Sequence, residues 1–407
     1  MYLVERHVIK QNHTHWLEID KLAFLSKNLY NYANYFCRHK FFETGKQYSL
    51  TELYKLVKDG IDYRVLPTKV SKQIIRKLLK NWSSYFQALK AWSQNQSNFL
   101  GKPKIPGYKN KTQGRNILIY THESVYKSPL NKGICHLSMS DIKIPTRQNQ
   151  VVEVRITPQT NCYVLEVVYD QELPELNNHE AVAGIDLGLN NLVALTSNQT
   201  GFRPILINGR LLKAANQFFN KLKAKLQGLL PSNKFTSKKI ASITCNRNQY
   251  VENYLHQTSR IVVELLNKYQ IGTLIIGKND NWKQNLNIGK RNNQSFTQIP
   301  HAKLIEKITY KCQLVGIKVI ITEEAYTSKT SALDLENPVK HDKYKGRRVK
   351  RGLFKSSNGT LLNADINGAT QIIRKVFPNA FANGIERVAV TPTLINPMLK
   401  NKPTRFV

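Results

Sequence analysis

Acids are scarce in this chain: 27 Asp and Glu face 61 Lys and Arg among 407 residues, a formal charge of +34. A surface so one-sided repels copies of itself and displaces the counterions of a polyanion, so a nucleic acid is the leading partner. Cysteine is scarce as well. The five, Cys37, Cys135, Cys162, Cys245 and Cys312, are odd in number and far apart, which excludes a disulfide framework or a Cys-x-x-Cys metal knuckle and leaves reduced, structural residues. No run approaches the ~20 apolar residues of a membrane span. Met1 opens on Tyr-Leu-Val-Glu-Arg without the pattern of a signal peptide, so a cytoplasmic protein with no membrane partner is expected. What is plentiful is aromatic: 19 Tyr and 15 Phe within a hydrophobic fraction of 41%, too much for a disordered basic tail. The length suffices for two or three domains.

Leu22, Leu25, Leu29, Tyr32 and Phe36, then Ile75, Leu78, Leu79, Trp82, Phe86 and Leu89, recur at three- and four-residue steps and predict amphipathic helices. The second carries Lys72, Arg76, Lys77 and Lys80 on its other side, suited to phosphates and equally to a solvated face. GKPKIPGYKNK at 101–111 breaks the helical pattern and marks a boundary. Its Lys102, Lys104 and Lys109 are further candidates for nucleic acid. Val152, Val154 and Ile156 alternate with Glu153 and Arg155, and 163–169 continues as strand after PQTN: a hairpin with one buried face. With a strand at 1–9 and segments near 117–120 and 135–144, it predicts a β-barrel over 1–16 and 100–178, interrupted by a helical block at 17–99.

From 181 the order changes to strands 182–187, 191–196 and 204–207, helices over 211–228 and 247–269, strand 273–277, a helix around 301–315, strand 317–321 and a last helix near 365–377. Three strands followed by helix, strand, helix, strand, helix is the order of the RNase H-like (RuvC) nuclease fold, an α/β architecture with a mixed sheet, here 179–329 and 360–377. Residues 378–407 read as an extended or poorly ordered tail.

Ligands collect at the carboxyl ends of parallel strands, so acids there come first. Asp186, in GIDLGLNN, is costly to bury among Val182, Ile185 and Leu187 unless a cation or strong donors hold it; a turn-capping aspartate is the alternative. Asp365, in LLNADINGA, reads on its own as an N-cap. The strand TLIIG ends in Gly277, where a nuclease of this architecture would offer an acid. Glu323 and Glu324 follow the next strand, whose end should open on the same edge; alternation turns the two opposite ways and favours Glu324. Asp280 is a fallback. Three carboxylates from separate elements would hold two Mg²⁺ (or Mn²⁺) ions roughly 4 Å apart. His256 and His301 read as structural or phosphate-contacting.

GIDLGLNNLVAL, LINGRLLKAANQ, YLHQTSRIVVELL, IGKNDNWKQNLNIGKRNNQSFTQIPH, EEAYTSKTSALD, KGRRVKRGLF and LLNADINGA together resemble the TnpB family, closely over 180–377 and more loosely before it. TnpB proteins are the RNA-guided, RuvC-like nucleases of small insertion sequences, related to type V CRISPR effectors. The resemblance implies wedge and helical recognition domains in the N-terminal half, Mg²⁺, a guide RNA from the transposon end, and cleavage of target DNA beside a short adjacent motif. It implies that Asp186 and Asp365 are the first and last catalytic aspartates, and that Glu324 is the displaced glutamate of a subset. It also implies a zinc ribbon, yet the positions aligned with its cysteines are Ser331, Asp334, Lys355 and Asn358, which supply no thiolate. No zinc is expected. Residues 330–359, with Lys340, Lys343, Lys345, Arg347, Arg348, Lys350 and Arg351, become a basic loop that touches nucleic acid, a solvated loop being the alternative. Tyr30, Tyr35, Trp82 and Tyr85 could stack on unpaired bases, although most of them should fill the core. A nuclease-inactive, RNA-guided DNA-binding protein acting in regulation or transposition is the second reading. A DNA-joining transposase would need its own strand-transfer chemistry.

Overall fold

Residues 1–279, 289–382, 384–385 and 392–398 are described by the computed structural model, and the chain divides into two units, Met1–Glu172 and Leu173–Val407. In the first unit β1 (Tyr2–Ile9) leads into helices α1 (Trp16–Thr44), α2 (Leu50–Val57), α3 (Ile61–Arg64) and α4 (Thr68–Gln94). The chain returns through β2 (Leu118–Thr121), α5 (Lys127–Leu130), β3 (Ile134–His136), β4 (Lys143–Pro145), β5 (Glu153–Gln159) and β6 (Cys162–Asp170). The strand-like segments form an antiparallel sheet in the order β1-β6-β5-β2 and a β3-β4 ribbon, which the Val125–Leu137 bridge ties to the chain just past β2; these ladders do not close into the expected barrel. β3 and β4 have three residues each and pair with one another, so among the described residues no ladder leads from β2 back to β1. The helical core forms as the periodicity requires: Trp82 is fully buried with Leu29, Ile75 and Leu78, and its indole N–H donates to Asn34 Oδ1 at 3.0 Å.

The Gly- and Pro-rich segment 101–111 has no ladder of its own. It lies along α1, held by side chains at 27, 31, 34 and 38, the spacing of one helix face. Lys27 donates to the Lys111 carbonyl at 2.7 Å, Asn31 makes two 2.9 Å bonds with the Lys109 backbone, and Asn34 and Arg38 donate to the Pro106 carbonyl at 3.0 and 3.1 Å.

The second unit contains β7 (Val182–Leu187), β8 (Asn191–Ser197), β9 (Ile205–Asn208), α6 (Arg210–Gly228), α7 (Lys238–Lys268), β10 (Thr273–Gly277), α8 (Lys290–Gln298), α9 (His301–Gln313), β11 (Lys318–Thr322), β12 (Arg347–Lys350), β13 (Leu353–Lys355), β14 (Leu361–Asn363), α10 (Ala364–Val376) and β15 (Thr393–Ile395). The main sheet runs β11-β10-β7-β8-β9-β15, with β7, β10 and β11 parallel and β8 antiparallel to its neighbours. Its first five strands have the arrangement expected from the element order. Period-two alternation sorts the faces: Ala183, Ile185, Leu274 and Ile276 pack in one core with Val262, Leu266 and Ile308 of α7 and α9, whereas Val182 and Ile275 pack with Ile372 and Ile373 of α10.

Two expectations are corrected. The segment expected as a tail contributes β15, parallel to β9, and Ile395 and Met398 pack on the main core. The segment expected as a basic loop, 330–359, carries β12 and β13, which with β14 form a three-stranded antiparallel sheet pinned by buried Phe354 and Leu362.

Candidate active site

The face under α10 is a close approach between helix and sheet. A Cβ built on Gly184 of β7 would lie 2.5 Å from the Ala369 carbonyl oxygen and 2.5 Å from Ile373 Cγ1; one built on Gly368 of α10 would lie 2.6 Å from Asp186 Oδ2. Glycine at both positions lets the helix settle on the strand with the Asp186 carboxylate against its first turns. Asp186 is half-buried, and its carboxyl is held well above the usual range, first by desolvation and then by the Glu324 and Asp365 carboxylates, while Arg348 pulls the other way.

Gly277 closes β10 on the same face. A Cβ built there would lie 2.5 Å from Ile372 Cδ1, 2.6 Å from Glu324 Cγ and 2.8 Å from Glu324 Oε1. The Glu324 side chain therefore occupies the space that a side chain at 277 would fill. Just past β11, its backbone N–H donates to Asn279 Oδ1 at 2.8 Å, and its carbonyl accepts from the Thr327 hydroxyl at 2.9 Å. Burial pushes its carboxyl up to about 7, and Oε1 is buried without a hydrogen-bond partner. Glu323 points the other way: it is 70% exposed and lies 3.7 Å from Lys375 Nζ. Asp280 lies outside the described residues.

Asp365 is the second residue of α10, but it is not the cap. Asn363 is, its Oδ1 accepting from the backbone N–H groups of Asp365 and Ile366 at 3.0 and 3.2 Å. This leaves the Asp365 carboxylate free to accept from Asn191 Nδ2 at 2.6 Å and to sit 3.7 Å from Arg348 Nη2. Neither contact was signalled by the sequence: Asn191 lies one strand away and Arg348 in a segment read as loop. The Asp186 carboxyl is acted on by those of Glu324 and Asp365, yet among the described residues no group of three His, Cys, Asp or Glu side chains is arranged to hold a metal ion. Carboxylate oxygens of this kind, with Glu324 Oε1 buried and unpaired among them, would suit a hard cation such as Mg²⁺.

The other candidates scatter. Arg76, Lys77 and Lys80 are exposed along α4, and Lys72 lies over the Tyr54 ring. Lys102 and Lys104 are exposed, and Lys109 stands over Tyr30. Arg347, Lys350 and Arg351 are exposed on the small sheet, and only Arg348 of this group turns to the acids. Tyr30 and Trp82 are core residues, and Tyr85 packs against Phe41, Trp82 and Phe86; Tyr35 stays exposed. His301 is buried with Nε2 3.1 Å from the Gly188 carbonyl, and His256 Nε2 lies 3.0 Å from Lys307 Nζ. His13 and His15 are engaged locally, the His15 ring by the Lys143 backbone and His13 Nδ1 by the His15 N–H. All five cysteines are buried and free.

Three of the four positions that the resemblance aligns with zinc cysteines, Ser331, Asp334 and Asn358, take part in local hydrogen bonds. The Asp334 carboxylate accepts from the Ser357 backbone N–H at 2.9 Å and from its hydroxyl, and the Asp334 N–H donates to Ser331 Oγ at 3.4 Å. Ser356 Oγ donates to Asn358 Oδ1 at 2.6 Å, and the Ser331 N–H to Glu336 at 2.8 Å.

Comparison with known proteins bears on these features. A family model described as "Probable transposase" (OrfB_IS605) matches residues 154–283, and the "Cas12f1-like, TNB domain" model matches 301–372. The chain is 23% identical over 396 residues to the TnpB-like protein ORF457 of Acidianus two-tailed virus, covering 88% of this chain and 83% of that one. It is 25% identical over 230 residues to the CRISPR-associated endodeoxyribonuclease Cas12f2 of Micrarchaeota archaeon (strain CG1_02_47_40), covering 53% of this chain and 41% of that protein. Among solved structures, a Cas12f1-sgRNA-target DNA complex aligns with a TM-score of 0.36 at 15% identity, covering 91% of this chain and 98% of that one. The mini-RNA-guided endonuclease CRISPR-Cas_phi3 aligns with 0.44 at 10%, covering 96% and 92%. Among the described residues no helix is long and apolar enough to cross a membrane.

Proposed function

The chain belongs to the TnpB family, and from that premise we propose that it is an RNA-guided DNA endonuclease of a transposon, cutting target DNA beside a short adjacent motif. The observation that carries the reading is the Glu324 carboxylate folded over Gly277, two strands from Asp186 in the sheet order, with Oε1 buried and unpaired. An acid so placed is poorly explained by stability, since its charge is desolvated without a donor.

Asp186, Glu324 and Asp365 would hold Mg²⁺ or Mn²⁺, which supplies the charge that activates water and steadies the leaving 3′ oxygen of a phosphodiester. The rest is done by side chains. Asn191 fixes the Asp365 carboxylate, and Asn279 fixes the turn that carries Glu324. Arg348, beside Asp365, is positioned to neutralise a phosphate oxygen brought to the acids. Arg76, Lys77, Lys80, Lys102, Lys104, Lys109, Arg347, Lys350 and Arg351, with Lys72, contact nucleic-acid backbone. Sequence choice falls to base pairing between target and guide RNA.

The test is cleavage of a randomised target library by the protein carrying its co-purified RNA, with Mg²⁺. Asp186→Ala and Glu324→Gln should abolish cutting and Glu323→Gln should retain it. Cutting that survives Asp186→Ala overturns the reading. The incompletely assembled acid site favours one alternative, a protein that occupies guided targets without cutting; bound but intact DNA at every metal concentration would establish it.

A further inference from the structure

On the outer side of α1, Tyr35, Arg38, His39 and Phe42 fall at i, i+3, i+4 and i+7, one stripe of the helix. Tyr35 is 49% exposed and Phe42 67%, and Tyr108, on the segment held along α1, is 51% exposed. The Arg38 guanidinium carbon lies 5.1 Å from the Tyr108 ring centre and 5.6 Å from that of Phe42, and Nη1 is anchored on the Pro106 carbonyl at 3.1 Å. The Tyr35 and His39 rings lie 4.2 Å apart, centre to centre. A cation is thus fixed between two exposed rings, and its anchor is a carbonyl and not a carboxylate, so its charge is not cancelled. Lys102 and Lys104 are exposed on the same segment, and Glu43 is the one acid in α1 from Cys37 to Thr44.

We propose that Phe42, Arg38 and Tyr108, continued by Tyr35 and His39, form a stacking platform for unpaired bases of a nucleic-acid strand. The rings offer faces to any base, and the guanidinium adds cation–π and phosphate attraction. A second copy of the chain is the poorer occupant, because its charge of +34 is repelled. The proposal rests on the nucleic-acid partners inferred above but requires neither the acids nor cleavage.

The full chain is irradiated with DNA and RNA oligonucleotides of one mixed sequence carrying iodinated uracil, and cross-linked peptides are mapped; affinities are measured across a salt series. The expected result is cross-linking at Phe42 or Tyr108, with the RNA and DNA arms showing which strand occupies the platform. Phe42→Ala with Tyr108→Ala should weaken binding roughly 5- to 50-fold and leave the salt slope unchanged, since stacking neutralises no phosphate. Lys102→Ala with Lys104→Ala should lower the slope instead. The exposed rings contribute little to the fold, so an unshifted melting temperature accompanies the loss. Unchanged affinity with no cross-link to either strand overturns the proposal, as does unchanged affinity with a shift from dimer to monomer in sedimentation. Cross-links in a protein that cuts no DNA would remove the nuclease reading and keep the platform.

Discussion

A buried carboxylate with an unpaired oxygen is costly when charged, and Glu324 is in that position, with its carboxyl pushed up to about 7 from an ordinary 4.5. A folded-state value raised above the unfolded one contributes stability in acid that is lost as pH rises through the folded value. In EDTA the melting temperature should therefore fall as pH rises from about 4.5 to about 7, the total cost of the ionised group being on the order of 3 kcal/mol; Asp186, raised in the same direction, adds to it. Glu324→Gln should flatten that dependence, and Mg²⁺ should stabilise the native protein more at pH 8 than at pH 6, as scanning calorimetry would reveal. Because Glu324 fills the volume above Gly277, Gly277→Glu alone should clash and destabilise, whereas Gly277→Glu with Glu324→Ala should regain part of the cleavage that Glu324→Ala loses. Alternation along β11 made the opposite directions of Glu323 and Glu324 legible before any coordinates. The cap on α10 was not legible, since Asn363 and Asp365 are both good capping residues and only the backbone entry angle separates them.

Helix α10 reaches the sheet because small residues meet there. Gly184→Ala would push a methyl to 2.5 Å from the Ala369 backbone carbonyl, so the helix must lift, with an expected loss of about 1–3 kcal/mol and reduced cutting. Gly368→Ala instead meets the Asp186 carboxylate and should reduce cutting with less effect on chemical denaturation. The bonds of Asp334 tie the turn at 331–336 to the turn between β13 and β14. Asp334→Ala removes two bonds from exposed Ser357, which water can replace, at a cost of about 0.5–1.5 kcal/mol, and faster hydrogen exchange over β13 and β14 should report it. The main strands were readable because apolar runs such as 273–277 can be little else. β12 was hidden because Arg347, Arg348, Val349 and Lys350 are all exposed, which erases the alternation that marks a half-buried strand. β15 has three residues, too few for any period.

At the scale of the whole molecule, charge is the feature that composition reveals and topology does not. A surplus of 34 positive charges over acids predicts that affinity for RNA falls steeply with salt, by orders of magnitude across a few-fold rise in concentration; a flat dependence measured by filter binding would contradict a phosphate-dominated interface. The barrel expected in the first unit was not recoverable in principle from alternation, because closure depends on which edges pair, and two three-residue strands spend their ladder on each other. In the second unit the added β15 covers the β9 edge, so removing residues from 392 onward should bare that edge and promote aggregation, visible by light scattering. The sulfur-free turns around Asp334 have a further consequence. A structural centre made from a carboxylate, hydroxyls and an amide offers nothing for peroxide, cadmium or mercurials to attack, and Cys37, Cys135 and Cys312 are sheltered thiols pushed up to about 12 by burial. Such a protein should keep its fold in oxidising or metal-poisoned surroundings that would strip a thiolate cage.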